Sequence, residues 1–132
     1  MSASSSPTPV RLLRIFIVEN HRDTSKYLAM FLQLLGHTVR SARTMKEALS
    51  KITDTNCEVL ISDIGLPDGN GHDLLRQMKL SHPVYAIAIS GFGTEADVAR
   101  SKSAGFRHHM VKPFGGDDLL PFLDEASREL AA

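Results

Sequence analysis

Between residues 14 and 130 the chain alternates short apolar runs with amphipathic stretches. The strong runs are Ile15-Phe16-Ile17-Val18, Val59-Leu60-Ile61 and 84–89, which reads Val-Tyr-Ala-Ile-Ala-Ile. Two weaker ones are Thr38-Val39 and Met110-Val111. The strong runs are continuous rather than alternating, the pattern of strands whose sheet is covered on both faces.

Five helical patterns fill the gaps. In the first, Leu28, Phe31, Leu32 and Leu35 repeat at i, i+3, i+4, i+7, and Gly36 is placed to stop the helix. The second starts at Thr44, with Glu47 three residues on, and carries Ala48, Leu49 and Ile52. The third carries Leu74, Leu75 and Met78. The fourth runs from a cap near Thr94 to Gly105 and is apolar-poor, with Val98 and Ala99 as its expected core residues. The fifth carries Leu119, Phe122, Leu123, Ala126 and Leu130, with Pro121 in its first turn. Five strands, each followed by a helix, predict an α/β fold. Its parallel sheet has right-handed crossovers and helices on both faces.

Composition narrows the function classes. The 132 residues make one domain, expected over 13–132, with 1–12, rich in Ser and Pro, as a disordered tail or linker. Fifteen basic and fifteen acidic side chains cancel, which argues against direct nucleic-acid binding. The single Cys57 excludes an internal disulfide and a Cys-based zinc site, and fits a small core residue. No run reaches the ~18 apolar residues of a membrane helix, and the N-terminal segment has no signal-peptide core. A cytoplasmic protein without membrane contact is expected; the oligomeric state stays open.

In a parallel α/β sheet the working site lies at the carboxyl ends of the strands. Those positions hold Glu19-Asn20, Asp63, Ser90 and Lys112-Pro113-Phe114. Any one of them fits a solvated rim. Two carboxylates, a hydroxyl and an ammonium converging on one edge point to a site. Glu19 and Asp63 repel when close, and a cation is the usual remedy. No Gly-x-Gly-x-x-Gly follows the first strand and no P-loop lysine motif is present, so nucleotide binding is not indicated.

These stretches resemble the receiver domain of two-component response regulators. The matches are Ile17-Val18-Glu19-Asn20, Ser62-Asp63-Ile64-Gly65-Leu66-Pro67 with Gly69 and Gly71, Ala88-Ile89-Ser90-Gly91, and Val111-Lys112-Pro113-Phe114. The resemblance implies a flavodoxin-like, doubly wound (βα)5 three-layer sandwich with strand order 2-1-3-4-5. It also implies that Asp63 accepts a phosphoryl group from phosphohistidine, with Ser90 and Lys112 contacting that group. Mg²⁺ would be held by Glu19, Asn20, Asp63 and the Gly65 carbonyl, and Lys112-Pro113 would be cis. The implied partner is a histidine kinase or histidine phosphotransfer protein. As an isolated chain the domain would be a self-phosphorylating acceptor and not an enzyme. Glu19-Asn20-His21 with Asp23-Thr24, Gly65-Leu66-Pro67-Asp68-Gly69, Ser90-Gly91-Phe92-Gly93 and Gly105-Phe106 are similar to receivers fused behind hybrid sensor histidine kinases. A C-terminal module of such a kinase is one context and a free-standing regulator the other.

Asn20 departs from the family, which most often has Asp there. The site holds one charge fewer, and a pseudo-receiver acting as a phosphorylation-independent binding module is the alternative function. His109 stands where the family usually has a Tyr or Phe switch. It is read either as a switch following Ser90 or as a partly exposed strand histidine. His108 and His109 are adjacent on a strand and face opposite sides. His21, His37, His72 and His82 show no ligand spacing, and no metal role is expected of them. Phe92 is read as shielding the site or as plain packing. Tyr27, Met30 and Leu34 form a second stripe on the first helix, a candidate docking surface for a phosphodonor.

Overall fold

The computed structural model describes residues 11–78 and 82–131. Its central sheet has five parallel strands: β1 (Arg14–Val18), β2 (Thr38–Ala42), β3 (Val59–Asp63), β4 (Tyr85–Ser90) and β5 (His108–Val111). Their order is 2-1-3-4-5. The helices are α1 (Arg22–Leu34), α2 (Met45–Lys51), α3 (Gly71–Gln77), α4 (Glu95–Ala104) and α5 (Leu120–Ala131). No helix among the described residues is long and apolar enough to cross a membrane.

The continuous apolar runs have a direct cause, because successive side chains of a strand point to opposite faces. Ile15 and Ile17 join Val59, Ile61, Ile87 and Ile89 in one core, under Leu28 and Leu32 of α1 and Leu123 and Ala126 of α5. Phe16 and Val18 join Leu60, Ala86 and Ala88 in the other, under Ala48 of α2 and Leu74 of α3. Both faces are therefore dry, and polar groups collect at the strand ends.

Caps set the helix bounds. Thr44 and Thr94 accept hydrogen bonds from the backbone N–H of Glu47 and Asp97, the latter in a reciprocal capping box. Gly36 and Gly105 close α1 and α4 with left-handed φ of 100° and 112°. Leu35, expected on the core stripe of α1, is exposed, because it is the C-cap beyond the last helical turn. Val98 and Ala99 do not anchor α4: the buried residue of that helix is the polar Ser101.

Two features escaped the pattern. Gly65–Leu66 and Gly69–Asn70 form a short antiparallel pair between β3 and α3. The Asp68 carboxylate at its turn accepts from the Met45 and Lys46 N–H groups, 2.7 and 2.9 Å away, capping α2 from outside. Residues 1–10 of the expected tail lie outside the described residues. Arg11, expected in that tail, is bound to the domain: its N–H donates to Ser127 Oγ (2.7 Å) and its guanidinium pairs with Glu58 (2.5 Å). Among the described residues, contacts to the domain are thus already present two residues before the expected boundary at 13.

Candidate functional site: an acidic pocket closed by a lysine

The carboxyl ends of β1, β3, β4 and β5 bring Glu19, Asp63, Ser90 and Lys112 to one edge. Lys112 Nζ lies 2.7 Å from Glu19 Oε1 and 2.8 Å from Asp63 Oδ2, so one ammonium bridges both carboxylates. Glu19 is fully buried and Asp63 nearly so. The Lys112-Pro113 peptide is cis, as the resemblance implied.

The backbone makes this approach possible. Gly71 opens α3 against the end of β3, where a Cβ would stand 2.6 Å from the Asp63 carbonyl oxygen. Its N–H donates to the Ile64 carbonyl at 2.9 Å, pinning the loop after Asp63.

The charges are unequal in their effects. Burial pushes the Asp63 carboxyl up and Glu19 adds to this, while Lys112 offsets only part, leaving it above the ordinary value. Burial also pushes Glu19 up, but Lys112 and the His21 N–H outweigh it and hold this carboxyl below its ordinary value. Burial alone would lower Lys112; its bonds to Asp63 and Glu19 hold it above its usual range. The pocket thus sets two carboxyl groups with opposite shifts around one ammonium.

That balance fits a divalent cation. Two carboxylates share one lysine. Glu19 Oε1 receives charge from Nζ but no well-directed hydrogen bond from any group among the described residues. Gly65 N–H reaches Asp63 Oδ1 only at 3.3 Å, so this oxygen too is loosely held. Such oxygens suit a hard cation.

The amide of Asn20 has a different neighbour. Its Nδ2 donates to the Arg43 carbonyl at 3.4 Å, and its own backbone carbonyl accepts from the Arg43 guanidinium at 3.2 Å. His21, of which no metal role was expected, stands exposed at the mouth of the pocket instead. Its Nδ1 lies 3.2 Å from Glu19 Oε2, and ligand atoms of Glu19, His21 and Asp63 all fall within 4.8 Å of one another. Sequence spacing hid this because the turn between β1 and α1, not a helical or strand repeat, folds the ring back.

Ser90 is buried, and its Oγ accepts from the Phe92 N–H at 3.0 Å. Phe92 does not pack into the core: the residue is 73% exposed. His109 has both ring nitrogens engaged, Nε2 with the Phe92 carbonyl (2.7 Å) and Nδ1 with Ser101 Oγ (2.7 Å). Ser101 Oγ in turn lies 3.1 Å from His72 Nε2. A carbonyl only accepts, so His109 carries a proton on Nε2; in the neutral ring Nδ1 is then an acceptor, to which Ser101 donates. Ser101 has no second proton, so His72 donates to it. His108 turns to the other face, stacked on Phe122 with ring centroids 3.9 Å apart and bonded to Glu125.

On α1, Tyr27, Met30 and Leu34 are 49%, 52% and 85% exposed. A groove of about 340 Å³, lined by Asp23, Tyr27, Lys112 and Phe114, runs from the start of this stripe to Lys112.

Comparison with known proteins agrees with this architecture. Residues 15–124 match the response regulator receiver domain, and the chain belongs to that family. It is 29% identical over 121 residues to the KDP operon transcriptional regulatory protein KdpE of Escherichia coli, covering 92% of this chain and 54% of that protein. It is 29% identical over 139 residues to the virulence sensor protein BvgS of Bordetella bronchiseptica, covering 98% of this chain and 11% of that protein. The chain thus spans about half of the first and a small part of the second. Among solved structures, the chemotaxis response regulator CheY4 of Vibrio cholerae superposes with a TM-score of 0.80 at 21% identity, covering 88% of this chain and 99% of that one. A CheY-like receiver domain from Methanospirillum hungatei gives 0.77 at 29% identity, covering 90% and 99%. The chain is a receiver domain of two-component signalling.

Proposed function

We propose that this domain accepts a phosphoryl group on Asp63 from a phosphohistidine of a histidine kinase or phosphotransfer protein. The observation that carries the reading is the Lys112 ammonium held 2.8 Å from Asp63 and 2.7 Å from Glu19 at the strand ends. An Asp63 oxygen forms the new P–O bond while the P–N bond breaks, and the donor imidazole leaves with that electron pair. Lys112 faces the developing phosphoryl charge, and the Ser90 hydroxyl proton is free to bond a phosphoryl oxygen, since its Oγ only accepts from Phe92. Mg²⁺ held by Glu19, Asp63 and the Gly65 carbonyl would neutralise phosphate charge. Asn20 belongs to this set through its amide oxygen. On this reading Ser90 and His109 form the switch, Tyr27, Met30 and Leu34 dock the donor, and the domain turns over no other substrate.

The likeness to a segment of a sensor protein supports placement as the cytoplasmic C-terminal module of a hybrid sensor histidine kinase. One observation favours a second reading, a pseudo-receiver that binds partners without phosphorylation: Asn20 is uncharged and its Nδ2 is turned to Arg43. Intact-mass measurement after incubation with a small-molecule phosphodonor and Mg²⁺ separates the two. A gain of one phosphoryl group, lost in Asp63→Asn, supports the acceptor; no gain in the wild type supports the pseudo-receiver.

A further inference from the structure

We propose that His21 is a nitrogen ligand of the cation pocket, giving this site a preference for borderline transition-metal ions over Mg²⁺. The proposal rests on the reading of the pocket as a cation site and adds the fourth kind of donor it contains.

The position of the ring is the first observation. His21 occupies the N-cap of α1, where a side chain ordinarily accepts from the helix N–H groups. It makes no such bond. The imidazole instead turns back over the pocket, with Nδ1 3.2 Å from Glu19 Oε2. Two ligands bound at ~2.1 Å to one ion, roughly at right angles, stand about 3 Å apart. This hydrogen-bonded pair also has the spacing of two ligands of one ion, and Asp63 completes a triad within 4.8 Å.

Burial supplies the second observation. Glu19 is fully enclosed, yet its Oε1 has no well-directed hydrogen bond among the described residues. Lys112 occupies the Oε1 side and His21 the Oε2 side, so the ammonium and the imidazole do not compete for the same oxygen. The ring is itself exposed, with a side-chain exposure of 74%, and an ion can enter from solvent past it.

The chemistry then sets the selectivity. Two carboxylates and one imidazole form a mixed oxygen–nitrogen set. Mg²⁺ takes oxygen ligands and keeps its waters, so it gains little from a ring nitrogen. Affinity for such a set rises through Mn²⁺, Co²⁺ and Ni²⁺, and imidazole suits Ni²⁺ and Zn²⁺. The uncharged Asn20 lowers the purely electrostatic hold on Mg²⁺, which widens the gap.

Titration calorimetry tests this on the tag-free, metal-free full chain with Mg²⁺ and Ni²⁺, for the wild type, His21→Ala and Glu19→Gln. The expected result is Ni²⁺ binding that excess Mg²⁺ displaces. In His21→Ala, Ni²⁺ affinity falls by about tenfold or more, on the scale that even outer partners of metal ligands reach, while Mg²⁺ affinity is unchanged. Because the ring is exposed and caps nothing, the thermal melt of that variant stays close to the wild-type value, losing only the ring's contact with Glu19 Oε2. Equal Ni²⁺ affinity in wild type and His21→Ala, with Mg²⁺ still bound and lost in Glu19→Gln, overturns the His21 proposal and leaves the cation pocket standing. Absence of any Mg²⁺ or Ni²⁺ binding sensitive to Glu19→Gln overturns the pocket reading, and the His21 proposal falls with it.

Discussion

Ser101 Oγ and His109 Nδ1 lie 2.7 Å apart, and this contact ties α4 to β5 through polar groups where neighbouring helices use apolar ones. Ser101 is fully buried and is also the partner of His72. Ser101→Ala strips both imidazoles of that partner. Both rings are half-buried, so water replaces part of the bond and the cost lies toward the low end of the about 1–3 kcal/mol of an unsatisfied buried polar group. Denaturant melts should show a loss of that order. Ser101→Thr, which keeps the hydroxyl, should recover part of it; equal loss in both would mean packing and not hydrogen bonding holds α4.

Asp63→Asn should raise the thermal stability of the metal-free protein. The Asp63 carboxyl sits above its ordinary value because of burial and the Glu19 charge. Its ionised form is thus disfavoured by folding, and a neutral amide removes that cost. Differential scanning calorimetry in chelator checks the sign, and a lower Tm would show that the Lys112 bond outweighs the repulsion.

Acid lability should set in through His37. The ring is buried, its Nδ1 accepts from the Leu13 N–H at 3.0 Å, and burial holds it below the ordinary imidazole value. The unfolded chain therefore binds a proton first. The contribution of neutral His37 is present above the unfolded value of ~6.5 and is lost as pH falls through the folded value. Melts between pH 7.5 and 5 should decline for the wild type and decline less steeply for His37→Gln. Parallel curves would remove His37 as the source.

Met30→Asp should leave stability within about 0.5 kcal/mol, since Met30 is half exposed on α1. Transfer from a phosphohistidine protein should slow, with labelling by a small-molecule donor unchanged. Loss with both donors would indicate misfolding, and no loss with either would remove α1 as the docking face.

Asn20→Asp should tighten Mg²⁺ binding. One added charge ~4 Å from the ion gains roughly 4 kcal/mol at an effective dielectric of ~20, before desolvation cancels much of it. A net gain of about 1–2 kcal/mol corresponds to tenfold or somewhat more in affinity. The new carboxylate would also lose the bond that Asn20 Nδ2 gives the Arg43 carbonyl and leave it toward the pocket. Mg²⁺ titration at fixed ionic strength reads this, and unchanged affinity would place residue 20 outside the site.

The layers were legible because burial on two faces leaves a strong trace: runs such as Ile15-Phe16-Ile17-Val18 have few other uses. Thr94 and Gly105 marked α4 correctly, since caps act locally. What the chain order concealed was contact between distant polar residues. Ser101 reads as an ordinary exposed helix residue until His72 and His109, 29 and 8 positions away, are brought to it. Asp68 reads as a turn residue until its carboxylate meets the start of α2. In the pocket, Glu19, Asp63, Ser90 and Lys112 were readable from the rule of strand ends. His21 was not, because its place depends on the rotation of one ring at a helix start.

Phe92 is held from both sides, its N–H on Ser90 Oγ and its carbonyl on His109 Nε2. A displacement of the Ser90 hydroxyl toward a ligand on Asp63 must therefore drag or release the residue that also anchors His109. Coupling of this kind has no preferred direction. A partner that gripped the α4–β5 surface with His109 detached from Phe92 would favour the displaced hydroxyl by the same factor as the ligand favours that partner. The affinity of a ligand at Asp63 would then be adjustable from a surface that never touches the pocket.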